Sequence, residues 1–271
     1  MVRLIAAVAV ALATGTAAEA QTVVRPQEPG PAVAPERVHR MPAGDAAGRP
    51  SGQQPSMGGE HDSPPLYYFI RVNNLDYGPA RRGPQASWDV NARFGTDDYR
   101  VMLKSEGEVV RGRTKDAEVQ VLFDTPISEF FNFQAGWRRV LAPVNRNYFA
   151  IGIEGLAPNF IDTEATIFIS EKGGASLRVK GGIDIPVATN LFTKPSVEAN
   201  LYGSDDRALG TYAGLGGVKL ALQTRYEITR QFAPYVEIGW ERLLGRTGSV
   251  ARSTGDRFEN AYAVVGIRVW Y

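Results

Sequence analysis

The chain has 271 residues, a formal net charge of +1, 44% hydrophobic and 22% charged residues, and no cysteine. The missing thiols exclude disulfide scaffolds and thiolate metal sites, and the near-neutral balance excludes the basic field with which a protein gathers nucleic acid. Beyond the first twelve residues no apolar run approaches the roughly 18 residues of a transmembrane helix, so any later membrane span has to be made of strands.

In chain order, Met1-Val2-Arg3 is a short positive start, Leu4 to Leu12 an apolar core and Ala18-Glu19-Ala20 a small-residue cleavage site. That pattern predicts a signal peptide over residues 1–20 and a mature chain from Gln21. Between Gln21 and Pro64 there is no aromatic residue, and eight of the 17 prolines fall among Gly, Ala, Gln and Ser. Such a segment cannot bury enough apolar surface to order itself, which predicts a disordered tail over 21–65. All 27 aromatic residues lie between Tyr67 and Tyr271. The folded domain is therefore 66–271.

Within that domain twelve segments alternate apolar and polar residues with the period of two that marks a half-exposed strand. They are predicted at 67–77, 87–94, 98–109, 116–124, 128–140, 147–155, 160–170, 175–185, 191–202, 216–228, 232–243 and 261–271. In the third, Tyr99, Val101 and Leu103 oppose Arg100, Met102, Lys104, Glu106 and Glu108. The eighth sets Leu177, Val179, Ile183 and Ile185 against Arg178, Lys180 and Asp184, and the last puts Ala261, Ala263, Val265, Ile267, Val269 and Tyr271 on one face. About ten tilted residues cross a hydrocarbon layer, so the pattern predicts an all-β fold, a transmembrane antiparallel β-barrel of about 12 strands. An even strand number brings both termini to the periplasmic side of an outer membrane, with the longer connections, 78–86, 202–212 and 244–256, outside. A soluble β-sandwich is the alternative, but it would not keep charges on one face and lipid-sized aromatics on the other.

Several short segments then carry a resemblance in order and register from about Tyr67 to Tyr271. Leu103-Lys104-Ser105-Glu106-Gly107-Glu108, Gly155-Leu156-Ala157-Pro158, Glu164-Ala165-Thr166, Glu198-Ala199-Asn200-Leu201-Tyr202-Gly203, Arg225-Tyr226-Glu227-Ile228 and Phe232-Ala233-Pro234-Tyr235-Val236 with Trp240-Glu241-Arg242 resemble the copper resistance protein B family. The resemblance implies a Gram-negative outer-membrane barrel in copper homeostasis, with copper ions as ligand or cargo and a periplasmic multicopper oxidase or copper carrier as partner. Family members often carry repeated Met and His in the tail, suited to Cu(I) and to either copper state. Here the tail offers only His39 and Met41, then Met57 and His61 in Ser56-Met57-Gly58-Gly59-Glu60-His61-Asp62. These four are the candidate metal ligands of the tail. A solvated linker with incidental Met and His is the competing reading.

Met102 is the one methionine of the predicted barrel, and its parity places it among Arg100, Lys104, Glu106 and Glu108 on the lumen face. It is the fifth candidate copper ligand, with the two glutamates as cation attractors; its alternative role is that of a flexible filler. The other predicted lumen charges are Glu118, Glu164, Asp184, Glu198, Glu227, Glu237 and Glu241 with Arg93, Arg178, Lys180, Lys194, Lys219 and Arg225. Mixed signs predict a salt-bridged, narrow or plugged interior. Both histidines precede the barrel, so no strand can present a histidine base for hydrolysis. The function expected is non-enzymatic: copper binding, or assistance of its passage across the outer membrane. The alternative is a narrow porin-like or structural barrel without a metal role.

Overall fold

The computed structural model describes residues 66–271. The predicted signal peptide, the predicted tail and the candidates His39, Met41, Met57 and His61 lie outside the described residues.

The described chain runs β1 (Tyr67–Gly78), β2 (Gln85–Gly95), β3 (Arg100–Val110), β4 (Arg113–Pro126), β5 (Phe131–Ala142), β6 (Arg146–Ala157), β7 (Ile161–Ser170), β8 (Ala175–Ile183), β9 (Ile185–Ala188), β10 (Leu191–Tyr202), β11 (Gly214–Tyr226), β12 (Phe232–Leu243), the helix α1 (Gly245–Ser253) and β13 (Glu259–Trp270). Sequence neighbours pair antiparallel, and β1 closes on β13 through pairs such as Arg71 with Trp270 and Tyr77 with Val265. β8 and β9 both pair with β10 and form one interrupted stave, so the wall is a closed barrel of twelve staves. Closure leaves no sheet edge, the condition for a β-structure in lipid.

The alternation seen in the sequence sorts the two faces. Val265 is 62% exposed on the outer wall while its neighbour Val264 is 3% exposed. Leu103, Val121, Phe149, Ile167 and Ile238 continue the apolar outer belt. Near the end that holds the two outermost strand termini, Tyr68, Phe94, Tyr99, Phe123, Tyr226 and Tyr271 are exposed aromatics. Tyr99 stacks on Phe123 at 6.0 Å and Tyr68 meets Tyr271 at 6.2 Å. A girdle of this kind marks the boundary between hydrocarbon and headgroups.

Three local features depart from the sequence reading. The eighth strand was expected unbroken to Ile185, but it stops at Ile183. Pro186 has no N–H for the ladder, and Asp184, at the break, accepts from Arg225 at 2.7 and 3.0 Å. Secondly, the connection 244–256 contains α1, in which Gly, Thr and Ser, residues of little helix propensity, fill most positions. A tertiary contact holds it, the Tyr212 N–H donating to Thr247 Oγ1 at 3.0 Å, and the tight entry needs Gly248, where a Cβ would stand 2.4 Å from the Leu243 carbonyl oxygen. Thirdly, at the end opposite the strand termini, the loop end, the third strand runs past its expected end at 109 and the fourth starts before 116, leaving a two-residue connection. β3 turns into β4 through Arg111 and Gly112, whose φ angles of 52° and 74° form the left-handed pair that matches strand twist.

Candidate functional site: the barrel lumen

Inward-facing positions from opposite staves meet across the barrel. Glu118 on β4 accepts from Arg138 Nε on β5 at 3.0 Å and from the Arg178 guanidinium on β8 at 3.0 and 3.1 Å. Lys180 Nζ, two residues along β8, donates to Glu106 on β3 at 2.7 and 2.9 Å. Glu118 is 2% exposed, so this is a buried network rather than a surface pair. Its aromatic centre is Phe168, with Arg138 Cζ 4.2 Å and Arg178 Cζ 5.3 Å from the ring centroid. The ring gives both cations a polarisable surface and fills space that water would otherwise take.

A second cross-lumen cluster is centred on Lys104, which reaches Glu154 at 2.9 Å and Glu164 at 3.2 Å. Arg93 meets the other Glu154 oxygen at 2.8 Å. At the loop end, Arg82 from the β1–β2 connection folds inward to Glu241 at 2.7 Å, and Lys115 on β4 meets the same carboxylate at 3.0 Å. Arg146 on β6 pairs with Asp206 of the β10–β11 connection. The lumen is thus crossed by ion pairs at several levels, as the mixed charges predicted.

The sequence missed how lumen tyrosines are accommodated. Tyr262 lies over Gly239 of the paired strand, where a Cβ would come within 2.1 Å of the ring, and its hydroxyl donates to Glu237 at 3.0 Å. Tyr235 likewise covers Gly266 and donates to Asp76 at 2.7 Å. Glycine opposite tyrosine, both inward, is the sequence signal that could have found these pairs, but only with register in hand.

Met102 faces the lumen as its parity predicted and is 1% exposed, packed with Leu122, Val140, Tyr148, Ala150 and Phe168. Its Sδ lies 3.1 Å from Gln134 Nε2, which also donates to Asp124 Oδ1 at 3.1 Å and Glu154 Oε2 at 2.9 Å. One sulfur and two carboxylate oxygens therefore converge on a single amide nitrogen. The expected cation attractors stand elsewhere: Glu106 is taken by Lys180 and Glu108 by Lys115 at 3.3 Å. Long basic side chains from facing staves satisfy them, which sequence parity alone could not reveal. Among the described residues no group of three or more His, Asp or Glu is arranged to hold a metal ion.

An apolar outer belt around a closed, ion-paired interior defines a membrane-spanning β-barrel of the outer-membrane type. Residues 66–271 match the family described as "Copper resistance protein B precursor (CopB)". The chain is 35% identical over 212 residues to "Copper resistance protein B" of Escherichia coli, covering 78% of this chain and 71% of that protein. It is 36% identical over 212 residues to "Copper resistance protein B homolog" of Pseudomonas syringae pv. tomato, covering 78% and 72%. The chain belongs to the copper resistance protein B family. Among solved structures, the NanC porin aligns over 74% of this chain and 98% of its own with TM-score 0.49 and 11% identity. The KdgM porin aligns over 72% and 98% with TM-score 0.43 and 11% identity.

Proposed function

We propose that this protein binds copper and assists its passage across the outer membrane, acting by binding rather than catalysis. Membership of the copper resistance protein B family carries the reading. The tail stands on the periplasmic side after removal of residues 1–20, and its Met57 and His61, with His39 and Met41, supply soft and borderline ligands for copper. A periplasmic multicopper oxidase or copper carrier is the partner this placement favours. Met102 joins the proposal because its sulfur, Asp124 Oδ1 and Glu154 Oε2 surround the one point now held by the Gln134 amide. A cation could take that point if the amide turned away.

A narrow structural barrel without a metal role is the second reading, and the pairing of Glu106, Glu118, Glu154 and Glu164 with lysine or arginine favours it. Titration of the purified full chain with Cu(I) and Cu(II) separates the two, beside Met57→Ala/His61→Ala and Met102→Leu variants. Copper binding that weakens in the tail variant places the site at Met57 and His61; weakening in Met102→Leu places it in the lumen. No binding to the full chain, with unchanged copper tolerance in a deletion strain, establishes the second reading.

A further inference from the structure

The inner wall near the outermost strand termini carries an arc of arginines: Arg225 on β11, Arg268 on β13, Arg71 on β1 and Arg93 on β2. Register places them as neighbours, since Arg71 pairs with Trp270, two residues beyond Arg268, and Arg93 pairs with Phe69, two residues before Arg71. The charge of Arg268 acts on those of Arg225 and Arg71, and Arg71 on Arg93. Three of the four also lean on an aromatic ring: Arg71 Cζ lies 4.9 Å from the Phe69 centroid, Arg225 Cζ 4.8 Å from Phe192 and Arg268 Cζ 5.8 Å from Trp270.

The four are not equally compensated. Arg93 holds Glu154 at 2.8 Å and Arg225 holds Asp184 at 2.7 Å. Arg71 and Arg268 make no ion pair among the described residues, and the Nε of each is buried without a hydrogen-bond partner. The acids that act on them are committed elsewhere: Asp162 to Lys194, Glu154 to Arg93 and Lys104, Asp184 to Arg225, and Asp89 to the Asn73 amide. Two adjacent, half-buried cations without counter-charge are costly in a lumen of reduced dielectric, and an anion relieves that cost. Left uncompensated, they also oppose admission of a bare cation from this end.

We infer that Arg71 and Arg268 form a binding site for a small oxyanion, a carboxylate or a phosphate, seated against the inner wall at this end of the barrel. The fork of N–H donors on arginine fits either oxyanion. The inference does not depend on copper. Calorimetric titration of the purified full chain with citrate and, separately, with inorganic phosphate tests it in metal-free buffer at an ionic strength of about 0.05 M, low enough to limit screening. Saturable binding of one or both is expected, and the arm that binds more tightly names the class. Arg71→Gln and Arg268→Gln should each weaken it about ten- to a hundredfold, the range of one hydrogen bond between charged partners. Arg71→Lys, which keeps the charge, should weaken it less. Heat-dependent gel mobility reports whether each variant is folded. Should they fail to fold, Trp270 beside Arg268 is the native reporter: citrate or phosphate should change wild-type fluorescence, and the change should vanish in Trp270→Phe. No saturable binding of either anion, or unchanged affinity in a folded Arg71→Gln/Arg268→Gln variant, overturns the inference, as does an anion-induced fluorescence change that persists in Trp270→Phe.

Discussion

Replacing Glu118 with glutamine tests whether the lumen is held together by charge or only filled by charged side chains. Glu118 accepts from Arg138 Nε at 3.0 Å, from Arg178 at 3.0 and 3.1 Å, and from Gln120 Nε2 at 2.8 Å. Glutamine keeps the shape but offers one acceptor oxygen and turns an NH2 group toward a cation. The two arginines do not suffer equally. Arg178 keeps Glu106 at 3.7 Å and Glu198 at 3.8 Å. Arg138 keeps only the rings of Phe168 and Tyr148, at 4.2 and 5.1 Å. Removing one partner of a buried pair costs about 3–5 kcal/mol, and because one of the two cations stays partnered the lower end, about 3 kcal/mol, is expected. The assay is urea unfolding of the full chain in lipid vesicles, followed by tryptophan fluorescence under reversible conditions. Glu118→Gln/Arg138→Gln should be no less stable than Glu118→Gln, since it deletes the orphaned cation. A loss below about 1 kcal/mol, the worth of an exposed ion pair, or a double variant clearly worse than the single one, would refute the reasoning.

Three further outcomes follow from the same wall. Ile238, at the middle of β12 and 59% exposed, faces lipid, so Ile238→Arg should lose about 2–4 kcal/mol in vesicles, and equal stability of that variant would show that this face is not in hydrocarbon. Gly239→Ala drives a methyl into the Tyr262 ring 2.1 Å away and displaces its hydroxyl from Glu237; a cost of about 1–3 kcal/mol is expected by the same unfolding measurement. Arg82→Ala removes the donors to Glu241 at 2.7 Å and to the Arg257 carbonyl at 2.9 Å. It should speed proteolysis between Pro79 and Pro84 while changing global stability by about 1 kcal/mol or less, and an unchanged cleavage rate would show that Arg82 does not hold that connection in place.

The sequence alone determined the wall. Because side chains alternate strictly along a strand, parity assigned Val265 to lipid and Met102, Glu118 and Arg178 to the lumen without knowledge of any pairing. What parity cannot supply is height and partner. Tilt and closure decide which inward residue of β8 stands opposite which inward residue of β3 or β4, so the Lys180–Glu106 and Arg178–Glu118 bonds, 74 and 60 residues apart, belong to the tertiary structure. The break at Asp184, the helix after Leu244 and the inward fold of Arg82 depend on it too. Each is held by a partner distant in sequence: Arg225, Tyr212 and Glu241. The pair Arg71 and Arg268, without an ion pair among the described residues, is of the same kind, since a missing counter-charge becomes visible only when each nearby acid has been assigned to another partner.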